Sequence, residues 1–166
     1  GHVKIPSGIY AGEGQKPEYE TLAAFGTMCL NNNLESIYRL NNICNDAGID
    51  TISTGCTVAF AIECYENGVI NSRDTGGIEL RWGNHEAIVA MTEKLARREG
   101  FGNVLADGVK RAAQRIGKGS NEFAIHVGGQ EPGLHDPRAG MHYATTFLDA
   151  TPGRHTQASE GFGSYP

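Results

Sequence analysis

Apolar residues recur at helical spacing in segments that open on a capping residue and close on glycine, and this constrains the chain more than any other feature. Asn33 precedes Leu34, Ile37, Tyr38, Leu40 and Cys44, and Gly48 ends that run. Ser53 or Thr54 can cap a third helix from about Gly55 to Glu66, which Asn67-Gly68 stops. Asn84 caps a fourth, with Ile88, Met91, Leu95 and Ala96 on one face, basic residues in its last turn and Gly100 beyond. A fifth spans about Asn103 to Ile116 and halts at Gly117. Ahead of these, PEYETLAAFGTMCL predicts a short helix with Pro17 as an early residue, acids in its first turn, and Leu22, Phe25 and Cys29 on one side. A last helix is expected around Gly140 to Leu148. EFAIHV alternates enough for a short strand, and GGQEPGLHDPRAG is loop by its Gly and Pro content. The fold class is therefore mostly α, a multihelical domain with long loops and minor β structure.

With 166 residues, 39% of them hydrophobic, the chain can bury about two-thirds of its unfolded surface in one core. A net charge of −5 gives no electrostatic reason to bind nucleic acid. The apolar runs fall short of the roughly 20 residues a membrane span needs, and nothing resembles a signal peptide, so a cytoplasmic protein with no membrane partner is expected. Cys29, Cys44, Cys56 and Cys64 contain no C-x-x-C pair and read as buried free thiols; the six histidines contain no H-x-x-x-H or H-E-x-x-H spacing. No metal ligands are expected. Gly1 is not preceded by methionine and the chain stops within GFGSYP, so residues 1–166 read as one helical domain excised from a longer protein, with Gly1 and His2 native or added.

Three places hold more polar chemistry than folding demands: PEYET at 17–21, NDAGIDTISTG at 45–55, and the stretch from HDPR to PGRHT at 135–156. Each has an ordinary account by itself. Glutamates near a helix N-terminus gain from the helix dipole, a glycine stop followed by an Asp or Ser cap joins two helices, and a loop histidine is commonly solvated.

Taken together, PEYET, CNDAGIDTISTG, RREGFGNVLADGVKRAA and the E-P-x-x-x-DPR loop that leads to ATPGRHT resemble the second and third domains of the aldehyde:ferredoxin oxidoreductases, the tungsten pterin enzymes. The resemblance covers nearly the whole chain. It implies that Asn45, Gly48, Ile49 and Asp50 occupy the positions of a pterin-binding Asp-x-x-Gly-Leu-Asp/Cys pattern. A carboxylate at Asp50 can accept two adjacent N–H donors of an aminopyrimidinone edge as a fork. Asn45 stands where the family usually has Asp, and Asp46 is the residue beside it that could compensate. The resemblance also puts Glu20 and His155 beside the metal without ligating it, suited to accept a proton from water and to donate one to a carbonyl oxygen. Tyr19 and Thr21 flank that site.

The implied parent enzyme oxidises aldehydes to carboxylic acids on a tungsten (or molybdenum) bispterin and passes electrons through a [4Fe–4S] cluster to ferredoxin. The N-terminal pterin domain, the cluster cysteines and a second pterin motif fall outside residues 1–166. These missing domains of the same chain are its expected partners, and no cofactor, cluster or activity is expected of the fragment alone. A non-catalytic helical domain that uses the 45–55 joint for a small ligand or a partner is the alternative. A lone hydrolytic or metal enzyme lacks a nucleophile–base pair or a ligand spacing.

Overall fold

The computed structural model describes residues 1–135, and helices dominate them. The chain opens on an antiparallel hairpin, β1 (His2–Ile5) with β2 (Gly12–Gln15), in which His2 faces Gln15 and Ile5 faces Gly12. Sequence patterning missed this hairpin, because the second strand, GEGQ, carries no apolar or β-branched residue. A single helical turn, α1 (Tyr19–Leu22), runs directly into a π-helical turn, Ala23–Thr27, closed by Met28 N–H on the Ala23 carbonyl at 2.9 Å. Pro17 lies outside this helix, whose N-cap is Glu18.

The next helix, α2 (Leu34–Ala47), starts as read: the Asn33 side chain accepts from Ser36 N–H at 2.8 Å. It ends at Gly48 in the left-handed region (φ 66°), with Ile49 N–H donating to the Cys44 carbonyl at 3.0 Å. The following helix, α3 (Thr51–Glu66), corrects the expected cap. Asp50, not Ser53 or Thr54, is the N-cap, and its Oδ2 accepts from Ser53 N–H at 2.7 Å. The two hydroxyl residues already lie in the helix, where Thr54 donates to the Asp50 carbonyl at 2.6 Å.

Residues Thr54 through Ile62 of α3 are all buried, a helix apolar around its circumference that must be enclosed on every side. The enclosing elements are the π turn, α2, α4 (His85–Arg97), α5 (Phe101–Leu105) and α6 (Val109–Ile116). Phe25, Leu40, Ile62, Leu80, Ile88 and Met91 form the fully buried centre, each large apolar side chain contributing about 1.5–3 kcal/mol by leaving water. Gly55 permits the closest approach. A Cβ there would stand 2.6 Å from the Ala24 Cβ, so only glycine lets the π turn rest on α3.

Two further expectations are corrected. The fifth predicted helix is two, since the chain leaves helical geometry at Ala106–Gly108 and Gly108 takes φ 86° before α6 begins. EFAIHV is not a strand: Ser120–Phe123 is a single 3-10 turn, and Val127 makes one isolated bridge with Gln130. No neighbouring strand offers its alternation a partner among the described residues. The mostly-α reading holds, and no helix of the described residues is long and apolar enough to cross a membrane. The helix expected at 140–148 lies outside the described residues.

Candidate functional site

The joint between α2 and α3 is dry behind and wet in front. Behind it, Cys44 is buried, and burial is the main reason its thiol is pushed up to about 12. In front, Asn45, Asp46, Gly48 and Asp50 are exposed and Ile49 is half-buried. A Cβ built on Gly48 would meet nothing within 4 Å, so the turn faces open space. The surplus of polar groups noted in the sequence is largely committed to geometry. Asp50 caps α3, Thr54 bonds back to the Asp50 carbonyl, and Thr51 Oγ1 lies 2.7 Å from Thr21 Oγ1.

That last hydrogen bond ties the joint to α1, and so brings PEYET beside it. Glu20 is the second residue of α1 and only 6% exposed; its Oε1 accepts from Leu134 N–H at 2.9 Å. A polar concavity of about 280 Å³ is lined by Lys16, Glu18, Glu20, Asn41, Asn45 and Thr51, among others. Glu20 and Asn45 therefore share one concavity, and Asp50 stands exposed immediately before Thr51 on its wall.

Asp46 does not line that concavity. It lines a second one of about 530 Å³ between α2 and the hairpin, which Asn45 also reaches. The hairpin is held there by Asn41 Nδ2 donating to the Gln15 carbonyl at 3.1 Å and Asn42 Nδ2 to the Glu13 carbonyl at 3.2 Å. The last turn of α2 thus separates two polar recesses, with Asn45 common to both.

The segment 131–135 closes the arrangement from the far end of the described chain. Glu131 is 3% exposed, and its Oε1 accepts from Val109 N–H at 2.7 Å and lies 3.5 Å from Thr57 Oγ1. Leu134 turns its amide to Glu20 while lining an apolar recess of about 80 Å³ with Met28, Cys56, Phe60 and Trp82. Tyr19 Oη and His135 Nε2 are 3.0 Å apart. The exposed apolar side chains Met28 and Ile125 border this apolar recess rather than the polar one.

Sequence reasoning singled out Glu20, Asn45, Asp46, Gly48, Ile49 and Asp50, and His155 lies outside the described residues. It missed the Leu134 amide, which as a backbone group has no sequence signature, and the pairing of His135 with Tyr19 across 116 residues. Among the described residues no three His, Cys, Asp or Glu side chains stand together as metal ligands, and all four cysteines are buried free thiols. The exposed face of the joint carries the hydrogen-bonding side chains of Asn45, Asp46 and Asp50. A carboxylate offers about four acceptor positions, and Asp50 commits its Oδ2 to the Ser53 N–H.

A family model described as "Aldehyde ferredoxin oxidoreductase, domains 2 & 3" matches residues 1–161. The tungsten-containing aldehyde ferredoxin oxidoreductase of Pyrococcus furiosus is 42% identical over 139 residues, covering 81% of this chain and 23% of that protein. The protein of the same name from Thermococcus kodakarensis is 40% identical over 147 residues, covering 86% of this chain and 24% of its own length. The aliphatic sulfonate oxidoreductase, WOR-like subunit, of Pyrococcus furiosus is 34% identical over 141 residues, 82% of this chain and 22% of that protein. Among solved structures, the active site complex BamBC of benzoyl coenzyme A reductase with 1,5 dienoyl-CoA superimposes with a TM-score of 0.65 at 26% identity, covering 78% of this chain and 19% of that one. The chain thus spans less than a quarter of the length of these curated relatives.

Proposed function

Because the chain belongs to the aldehyde ferredoxin oxidoreductase family, matching its domains 2 and 3, we propose that it supplies one wall of the active site of a tungsten pterin enzyme that oxidises aldehydes to carboxylic acids. In the parent protein the electrons leave through a [4Fe–4S] cluster to ferredoxin. When bound, the tungsten bispterin supplies the acceptor for the two electrons that the aldehyde gives up.

This chain's own residues do the binding and the proton handling. Asp50, with Gly48 and Ile49 forming an open turn before it, accepts the paired N–H donors of the pterin edge, and Asn45 accepts through its single amide oxygen. Asp46 belongs to the hairpin side of α2, which argues against its replacing the carboxylate that Asn45 lacks. Conversion of an aldehyde and water to an acid releases two protons as well as two electrons. Glu20 takes a proton from water at its carboxylate, which the Leu134 amide holds in one orientation. His155 donates to the carbonyl oxygen and is reprotonated by the second water proton, so that the two protons released are the one on Glu20 and that of the aldehyde C–H.

The observation that carries this reading is Glu20, a buried glutamate on the same concavity as Asn45 of the pterin-type joint. Tungsten is preferred over molybdenum because the relatives at 40% identity and above are tungsten-containing by name. The alternative is a non-catalytic helical domain that binds a small ligand or partner, in which Glu20 serves to hold the Leu134 amide.

The test is Glu20→Gln in the parent enzyme. Turnover of an aldehyde should fall about 10²- to 10⁴-fold, the range for removing a general base, with tungsten and pterin content unchanged. Undiminished turnover would remove Glu20 from the reaction and favour the binding-domain alternative.

A further inference from the structure

We propose that Tyr19 and His135 form a latch that fixes the 131–135 segment on α1 and, through the Leu134 amide, sets the orientation of the Glu20 carboxylate. The functional part of this inference rests on the reading of Glu20 given above. Tyr19 and His135 are positioning residues in it and touch no reacting atom.

The geometry is a two-rung register. Tyr19 and Glu20 are consecutive residues of α1, and His135 and Leu134 are consecutive residues of the strap opposite. One rung joins Tyr19 Oη to His135 Nε2 at 3.0 Å; the other joins Leu134 N–H to Glu20 Oε1 at 2.9 Å. Each rung spans more than a hundred residues of chain, so each makes the other easier to form by removing the same freedom from the strap.

At its head the strap is anchored independently. Glu131, buried, accepts from Val109 N–H at the start of α6 and lies beside Thr57 of α3. Pro132 and the Leu134 side chain then lie in the apolar recess against Met28, Cys56, Phe60 and Trp82. This packing places the Leu134 side chain, while the direction of its N–H is seen in the bond to Glu20. A second fixed point beyond Leu134 holds that direction, and His135 is the next residue.

The Tyr19 ring is suited to hold it. At 58% exposed, Tyr19 is one of six exposed large hydrophobic side chains among the described residues, and its hydroxyl reaches His135. It lies beside His135 with ring centroids 5.9 Å apart and planes tilted by 53°. The pairing survives either protonation state of the imidazole. A neutral Nε2 accepts from the phenol, and a protonated Nε2 donates to the phenol oxygen.

The experiment uses the parent enzyme with Tyr19→Phe, His135→Phe, both together, and His135→Gln, whose amide can still reach the phenol. Tyr19→Phe removes one oxygen from an exposed ring and leaves the packing in place. Amide hydrogen–deuterium exchange is followed over 131–135, where Glu131, Gly133, Leu134 and His135 carry the signal because Pro132 has no N–H. Exchange should quicken about 2- to 10-fold in Tyr19→Phe and in His135→Phe, the range for loss of one hydrogen bond. The double variant should add little, and His135→Gln should restore slow exchange. In turnover, the two Phe variants should lower kcat about tenfold with KM unchanged, as expected when a reacting group is misaimed while substrate binding is kept.

Unchanged exchange in Tyr19→Phe overturns the latch, as does His135→Gln behaving like His135→Phe. Quickened exchange with kcat intact upholds the contact but overturns its role in aiming Glu20. Should Glu20→Gln leave turnover untouched while Tyr19→Phe still loosens 131–135, the latch stands and the assignment of Glu20 in the reaction fails.

Discussion

Asp50 carries two assignments at once, an N-cap seen in the structure and a pterin contact proposed from it, and two substitutions separate them. The cap is a single bond, Ser53 N–H to Oδ2 at 2.7 Å, at the head of the most buried helix among the described residues. Asp50→Ala removes it at a cost of about 0.5–2 kcal/mol. For a chain of this size each kcal/mol lowers the melting temperature by about 2–4 °C, so the midpoint should drop by several degrees at most. Asp50→Asn keeps a capping oxygen and loses only the charge, worth about 0.3–1 kcal/mol against the helix dipole and towards the lower end at an exposed position. Ligand binding should follow the opposite pattern. Asn presents one acceptor and an NH₂ group that meets the pterin's own donors head-on, so Asn and Ala should impair pterin loading alike. Urea unfolding followed by circular dichroism ranks the stabilities, and pterin released from the purified parent enzyme measures loading. If Asp50→Asn is as unstable as Asp50→Ala, the cap is misassigned; if it loads pterin like the wild type, the contact is.

Gly55→Ala drives a Cβ to 2.6 Å from Ala24 Cβ and 2.8 Å from its backbone carbon, so it should cost about 1–3 kcal/mol by urea titration and disturb α1. Asp107 tests the surface electrostatics. Its hydrogen bond from Arg98, at 2.7 Å, and that from Arg115 hold its carboxyl down to about 2 from an ordinary 3.8. A depressed carboxyl stabilises the fold above its unfolded pKa and ceases to do so as pH falls through the folded one. The stability gap between wild type and Asp107→Asn should therefore be full above about pH 4 and vanish near pH 2, and a gap independent of pH refutes the pairing.

The sequence made some boundaries legible because one residue alone decides them. Asn33 and Asn84 cap α2 and α4 as their positions suggest, and Gly48 and Gly117 stand where helices stop. At the start of α3 three oxygen-bearing side chains compete, and the nearest to the glycine wins: once Asp50 caps, Thr54 and Thr57 bond back to carbonyls four residues earlier. The break between α5 and α6 was hidden because LADGVK keeps its apolar spacing across Gly108. In the site, side chains such as Glu20 and Asp50 announce themselves by type, but what aims them does not. The Leu134 amide and the Thr21–Thr51 bond arise only when distant segments meet, and no local pattern encodes that.

The wide turn at Ala23–Thr27 fixes how the loci on either side of it can vary in length. A π turn holds one residue more than an α turn in the same run of axis, and each helical residue rotates the chain by about 100°. Upstream of the turn lies Glu20, turned to Leu134; downstream lies Cys29, fully buried against α3, its Sγ 3.9 Å from the Gly55 carbonyl. Deleting one residue within the turn would therefore let the helix relax to regular pitch with both of them kept on their bearings. A deletion in the regular helix beside the turn has no such slack and would rotate either the buried thiol or the aimed carboxylate by about 100°.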